Sequence, residues 1–215
     1  MQQDIDVYQS LEARLISNGF EHGAKLRAEA LRDEFGCSAS TVREALFRLS
    51  TVGLVHFQEQ RGFRVPERSP DTLIELTHMR VLLEGEGTVL SIRNGGVAWE
   101  ARLTAAHHKL SHIEKRIHAQ EDPSALIDIW FSSENEFHET LISACGSETL
   151  KQMHSRIYAR FRQQLMVADR RFDFISENIQ HHAEILDAAL SGDEALTRQK
   201  IHDHLARHLT GTTLD

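Results

Sequence analysis

Residues 36–49 constrain this chain most, because they read as a tight turn followed by a short helix with two unlike faces. Val42, Ala45, Leu46 and Leu49 recur at i, i+3, i+4 and i+7 and make one apolar side, leaving Ser40, Thr41, Arg43, Glu44 and Arg48 for the other. Ser38 is placed to cap the helix by accepting a hydrogen bond from an otherwise orphan amide, and Gly36 suits the turn before it. The pattern from Leu26 to Phe35 predicts a preceding helix, so the two form a helix-turn-helix whose second member can enter a DNA major groove. Gly53–Gln58 and Arg61–Val65, parted by the polar Glu59-Gln60, predict a β-hairpin wing. Arg61 and Arg64 would give it positive charge suited to phosphates.

The rest of the chain has a different texture. A helix over 5–18 places Tyr8, Leu11 and Leu15 on one stripe, and two prolines in Pro66-Glu67-Arg68-Ser69-Pro70-Asp71 break the pattern. The expected organisation is a winged helix-turn-helix domain over 1–66, a linker over 67–71 and an all-helical domain over 72–215. Helices are expected near 71–93, 97–119, 123–145, 148–169, 175–191 and 193–209, with breaks at Asn94-Gly95-Gly96, Asp122-Pro123, Cys145-Gly146-Ser147 and Ser191-Gly192-Asp193. Six such helices packed antiparallel make a bundle, so the fold class is mainly α with one small β element.

Charge follows the same division. The net charge of −8 argues against indiscriminate nucleic-acid binding, yet residues 1–66 hold eight Lys/Arg against nine Asp/Glu and the acidity is concentrated later. A near-neutral reading domain implies useful affinity only when a homodimer engages paired half-sites of a palindromic, double-stranded operator. No apolar run is long enough to span a membrane, and the start of the chain lacks a secretory pattern. Two isolated cysteines, Cys37 and Cys145, suit a reducing compartment, so the expected location is the cytoplasm.

Of 14 histidines, 12 follow residue 70. His107, His108, His112 and His118 spread around their helix without an evident carboxylate partner. Glu134 and His138 share a helix face at i, i+4, His182 opens the apolar series Ile185, Leu186, Ala189, and His204 adjoins Leu205. Three helices can thus offer one carboxylate and three imidazoles to a bundle interior. That donor set suits zinc first, with nickel or manganese as alternatives, and leaves coordination positions open. Arg80 lies on the stripe Leu76, Arg80, Leu83, Gly87, where it either pairs with Glu84, snorkels, or anchors a ligand carboxylate. Arg156 and Arg160 are further candidates for the last role.

Gly23-x-Lys25-Leu26, the helix from Ser38 to Leu49, Gly53-Leu54-Val55 and Arg61-Gly62-Phe63-x-Val65 together resemble the winged helix-turn-helix of the GntR family of bacterial transcription regulators. Stretches 137–150, 182–196 and 202–209 resemble the FCD ligand-binding domain of its FadR subfamily. The polar face of the second helix and the wing imply DNA contacts from Ser38, Ser40, Thr41, Arg43, Arg48, Arg61 and Arg64, and the resemblance puts Arg43 at the family's DNA-contacting arginine. Ala39 and Glu29 stand where members often carry a basic residue. It also implies metal ligands Glu134, His138, His182 and His204, where the family usually has Asp at the first position, and an effector pocket near Arg80. The function expected is a repressor whose metal-assisted binding of a small organic acid modulates operator affinity. A metalloenzyme on a helical bundle and a regulator with a purely structural metal are the alternatives.

Overall fold

A computed structural model of the chain describes residues 6–17, 19–120, 123–165 and 174–209. Asn18, Asp122 and the expected extension of one helix to 169 lie outside the described residues. The chain forms two compact units, one built by residues up to Ser69 with a segment beginning at Ala159, the other beginning at Pro70.

In the first unit α1 (Val7–Ile16) starts at Asp6, whose carboxylate accepts from the Tyr8 and Gln9 amides. Its buried stripe is Val7, Leu11 and Leu15. Val7 joins the stripe, and Tyr8, partly buried, packs against the same core while its ring carries the Arg48 guanidinium at 4.4 Å. β1 (Lys25–Leu26) precedes α2 (Ala28–Phe35), which Gly36 ends in the left-handed conformation at φ 62°. That geometry suits glycine because it has no Cβ to clash. In α3 (Ala39–Thr51) the Ser38 hydroxyl accepts from the Thr41 amide at 3.1 Å, and Val42, Ala45, Leu46 and Leu49 are buried as their spacing requires.

β2 (His56–Gln58) and β3 (Gly62–Arg64) form the hairpin, with Phe57 opposite Phe63. The sheet has a third strand, since β1 pairs antiparallel with β3 through Lys25↔Arg64 and Leu26↔Phe63. Leu26 therefore belongs to a strand, not to the start of the helix expected there. Two residues are too few for alternation to be visible. One core joins these elements, including Leu11, Leu26, Leu31, Leu46, Leu54 and Phe63. The Gln164 side chain braces residues 67–69: it accepts from the Ser69 amide at 2.9 Å and donates to the Glu67 carbonyl at 3.2 Å.

In the second unit α4 (Pro70–His118) runs as one element broken at Gly96, where φ is 55° and ψ is −166°. The break falls within the Asn94-Gly95-Gly96 punctuation. α5 (Ile127–Leu141) follows a 3-10 turn over Ser124–Leu126, and α6 (Glu148–Leu165, of which the residues up to Tyr158 belong to this unit), α7 (Ile175–Ser191) and α8 (Glu194–Ala206) follow. α4 packs on α5, α7 and α8. The approach is close at Gly87, where an added Cβ would come within 2.7 Å of the Ile142 side chain. Trp99 and Trp130 are both buried, and the Trp99 indole donates to the Thr140 carbonyl at 2.9 Å. No described helix is long and apolar enough to cross a membrane.

Candidate metal centre and nucleic-acid face

Glu134 and His138 on α5, His182 on α7 and His204 on α8 converge in the bundle interior. All four are buried, and one ligand-capable atom from each lies within 4.8 Å of the others. The ring centroids of His182 and His204 are 4.6 Å apart, and His138 lies 5.3 Å from His204. His181, the neighbour that could have replaced His182, is partly exposed and sits 4.0 Å from Glu177.

Carboxylates orient two of the rings. His138 Nδ1 is 2.9 Å from Glu84 Oε2, and His182 Nδ1 is 3.0 Å from Glu114 Oε1. Both glutamates are fully buried on α4. When Nδ1–H donates to such a carboxylate, Nε2 is left with a lone pair, the arrangement that readies an imidazole for a metal. Among the described residues His138 Nε2, His182 Nε2 and His204 Nδ1 are buried without a hydrogen-bond partner. Three unsatisfied imidazole nitrogens beside a carboxylate fit a divalent cation better than a dry core, in which each would carry its desolvation penalty.

Electrostatics agrees with neutral rings at His138 and His204. Burial pushes His138 below the ordinary histidine value despite Glu84 beside it. His204 is pushed well below by burial and by the His182 and His138 rings. For Glu84, burial opposes the charged form, but Arg80 and the His138 and His154 rings outweigh it and hold the carboxyl well below its usual range. The Glu84–His138 contact is therefore a charge-assisted hydrogen bond in which a neutral imidazole N–H donates to the carboxylate, not an ion pair.

Glu84 also answers the question of Arg80. The Arg80 Nε donates to Glu84 Oε1 at 2.6 Å with both side chains buried, and the guanidinium lies 4.7 Å from the Tyr158 ring. His154 Nε2 shares the same oxygen at 3.0 Å. One carboxylate thus ties Arg80 to the ring of His138. Arg156 is exposed, and Arg160 packs against Gly53, where an added Cβ would lie 3.0 Å from its Nε. The structure brings neither to the cluster. Glu84, Glu114 and His154 are functional neighbours that periodicity alone did not single out; only the i, i+4 relation of Arg80 to Glu84 signalled any of them.

On the first unit, Ser38 Oγ lies 2.7 Å from Ser40 Oγ and 2.8 Å from Thr41 Oγ1, so three hydroxyls gather at the N-terminus of α3, where backbone amides favour phosphate. Arg43, Arg48 and Arg61 are exposed, and Arg64, also exposed, donates to the Gly23 carbonyl at 3.0 Å. A groove between α3 and the wing is lined by Lys25, Arg27, Arg43, Phe47 and Phe57. Phe47 and Phe57 are about half exposed, and their rings meet edge to face at 6.1 Å. Glu29 Oε1 lies 3.7 Å from the Arg43 guanidinium on this face.

Comparison with known proteins agrees with both halves. Residues 5–65 match the model of the bacterial regulatory proteins of the gntR family, and residues 75–207 match the FCD domain. The uncharacterized HTH-type transcriptional regulator BphR of Paraburkholderia xenovorans (strain LB400) is 33% identical over 92% of this chain and 80% of its own length. The HTH-type transcriptional repressor GlaR of Escherichia coli (strain K12) is 28% identical over 94% of this chain and 91% of its own. The solved structure of E. coli McbR/YncC shares the fold with a TM-score of 0.76 at 19% identity, covering 98% of this chain and 96% of that one. The metalloenzyme alternative falls, because these domains and relatives are transcriptional regulators and not enzymes. With a helix-turn-helix, a three-stranded wing and a helical bundle that match across both halves, the chain belongs to the GntR family, as a DNA-binding transcription regulator carrying an FCD domain.

Proposed function

We propose that the chain acts as a homodimeric repressor of the FadR subfamily whose bundle holds a divalent metal and a small carboxylate effector, and whose operator affinity depends on that effector. The observation that carries the reading is the convergence of three buried, unpartnered imidazole nitrogens on Glu134. Zinc suits one carboxylate and three neutral imidazoles best, with nickel or manganese as alternatives. When bound, the metal supplies Lewis-acidic positions for an effector carboxylate. Arg80 supplies the link to the protein, since an effector that draws its guanidinium away from Glu84 also releases a restraint on His138. Such a ligand shifts DNA affinity by as much as its preference between the DNA-bound and DNA-free dimers.

Metal content tests the site. The full chain is expected to hold one zinc per protomer after dialysis, and Glu134→Ala and His182→Ala to lose it or weaken it by at least roughly tenfold. Undiminished metal in both variants would remove these residues as ligands. The burial of all four supports a second reading, a structural metal closed to effectors, for which acetate would leave the spectrum of the cobalt-substituted chain unchanged.

The operator-facing residues proposed are Ser38, Ser40, Thr41, Arg43, Arg48, Arg61 and Arg64. Glu29 restrains Arg43 and repels phosphate. Glu29→Gln is expected to bind non-operator duplex DNA several-fold more tightly in fluorescence anisotropy, with a salt dependence steeper by about one counterion.

A further inference from the structure

Asn178 is buried on α7 with 1% exposure, and among the described residues neither its Oδ1 nor its Nδ2 has a hydrogen-bond partner. A carboxamide offers two donors and an acceptor, so leaving both ends unsatisfied in a core is costly. Its place follows from two ring contacts that relate the start of α7 and its His182 to α5. Phe174 meets Trp130 at 5.8 Å and His182 meets His138 at 5.6 Å, and the same sequence offset separates both pairs. The two helices therefore run parallel in one register. Asn178 lies one turn before His182, as Glu134 lies one turn before His138, so Asn178 and Glu134 stand level on the facing sides of their helices.

We infer that Asn178 is a ligand-contacting residue that reads a hydroxyl group on the effector, which makes the effector a hydroxycarboxylic acid. The inference rests on the metal-centre reading above. The chemistry selects the group. A carboxylate has acceptors only and would satisfy Nδ2 while leaving Oδ1 orphaned. A hydroxyl is donor and acceptor at once, so it can give its proton to Oδ1 and accept from Nδ2 on a bound acid whose carboxylate faces the histidines. A site with a polar group committed to a substrate hydroxyl discriminates against the analogue that lacks it.

The test uses the full chain with cobalt(II) in place of the native metal, titrated separately with acetate and glycolate and followed by visible absorption. Chelation of cobalt by glycolate contributes equally in wild type and variant, so the change in the glycolate-to-acetate affinity ratio isolates Asn178. That ratio is expected to fall about tenfold in Asn178→Leu, with cobalt content and acetate affinity within about twofold of wild type. Asn178→Ala carries the same expectation and serves where the leucine variant does not fold. An unchanged ratio overturns the inference, including the case where only the melting temperature drops, which marks Asn178 as a structural residue bonded to water. Loss of acetate and glycolate binding together also overturns it. A wild-type chain with no saturable cobalt band fails the metal centre itself, and the inference falls with it by a result that the variants do not produce.

Discussion

Glu84→Ala is expected to destabilise the helical unit by about 3–5 kcal/mol, because it removes the buried carboxylate that faces a buried guanidinium. Glu84 is fully buried and is shared by Arg80 Nε at 2.6 Å, His138 Nδ1 at 2.9 Å and His154 Nε2 at 3.0 Å. Removing it leaves the Arg80 charge in the core without that counter-ion and two imidazoles without their acceptor. Glu84→Gln keeps the shape but not the charge, and is expected to recover only part of the loss. Both tryptophans of the chain, Trp99 and Trp130, lie in this unit and are buried, so denaturation followed by tryptophan fluorescence reports on it. Glu136→Ala is the contrast. Its pair with Lys109 at 2.7 Å has both side chains half exposed, and its loss is expected to cost under about 1 kcal/mol. Metal affinity should also drop roughly 10–100-fold in Glu84→Ala, since His138 loses the carboxylate that fixes its ring. Stability within 1 kcal/mol of wild type would show that Arg80 reaches solvent or another anion when Glu84 is absent.

What the sequence revealed and what it hid divide along the range of the interactions. The α3 stripe, the Ser38 cap, the αL Gly36 and the break at Gly96 depend on neighbours within two turns, and spacing exposes such neighbours. The four converging side chains were legible for a mixed reason: Glu134 and His138 by their i, i+4 relation, His182 and His204 by the phase of apolar residues after them and by resemblance to a family. Glu84 and Glu114 were not legible as ring-orienting partners, because they lie 54 and 68 residues from the histidines they hold. Nothing in α4 itself marks an interior carboxylate before the packing of α5 and α7 is known. Strand β1 escaped for lack of length, and Asn178 because a single buried amide has no periodic signature. Arg156 and Arg160 show the limit of spacing, since i, i+4 puts two side chains on one face without saying what that face meets.

Acidification is expected to weaken the metal-free helical unit between about pH 7 and pH 5, and the histidines set the sign. Burial holds the His138 and His204 rings below the ordinary value of 6.5, so the folded chain binds fewer protons than the unfolded chain in that range. Stability from these rings is complete above the unfolded value and is lost as the pH falls through it, until the folded rings themselves titrate. The limiting slope is about 1.4 kcal/mol per pH unit for each ring. Glu84 works in a different window. Its folded value lies below the ordinary 4.5, so its contribution persists above that pH and is lost only in stronger acid. Denaturation midpoints measured in chelator between pH 7 and 5 should therefore fall, and His204→Leu should flatten the fall, because leucine takes up no proton. With zinc in excess the curve should start higher, by about 4 kcal/mol when free metal is a thousand times its dissociation constant, and drop more steeply, because protons and metal compete for the same lone pairs. A flat profile in chelator would mean that the imidazoles reach water, and rings open to water would carry no desolvation penalty for a metal to relieve.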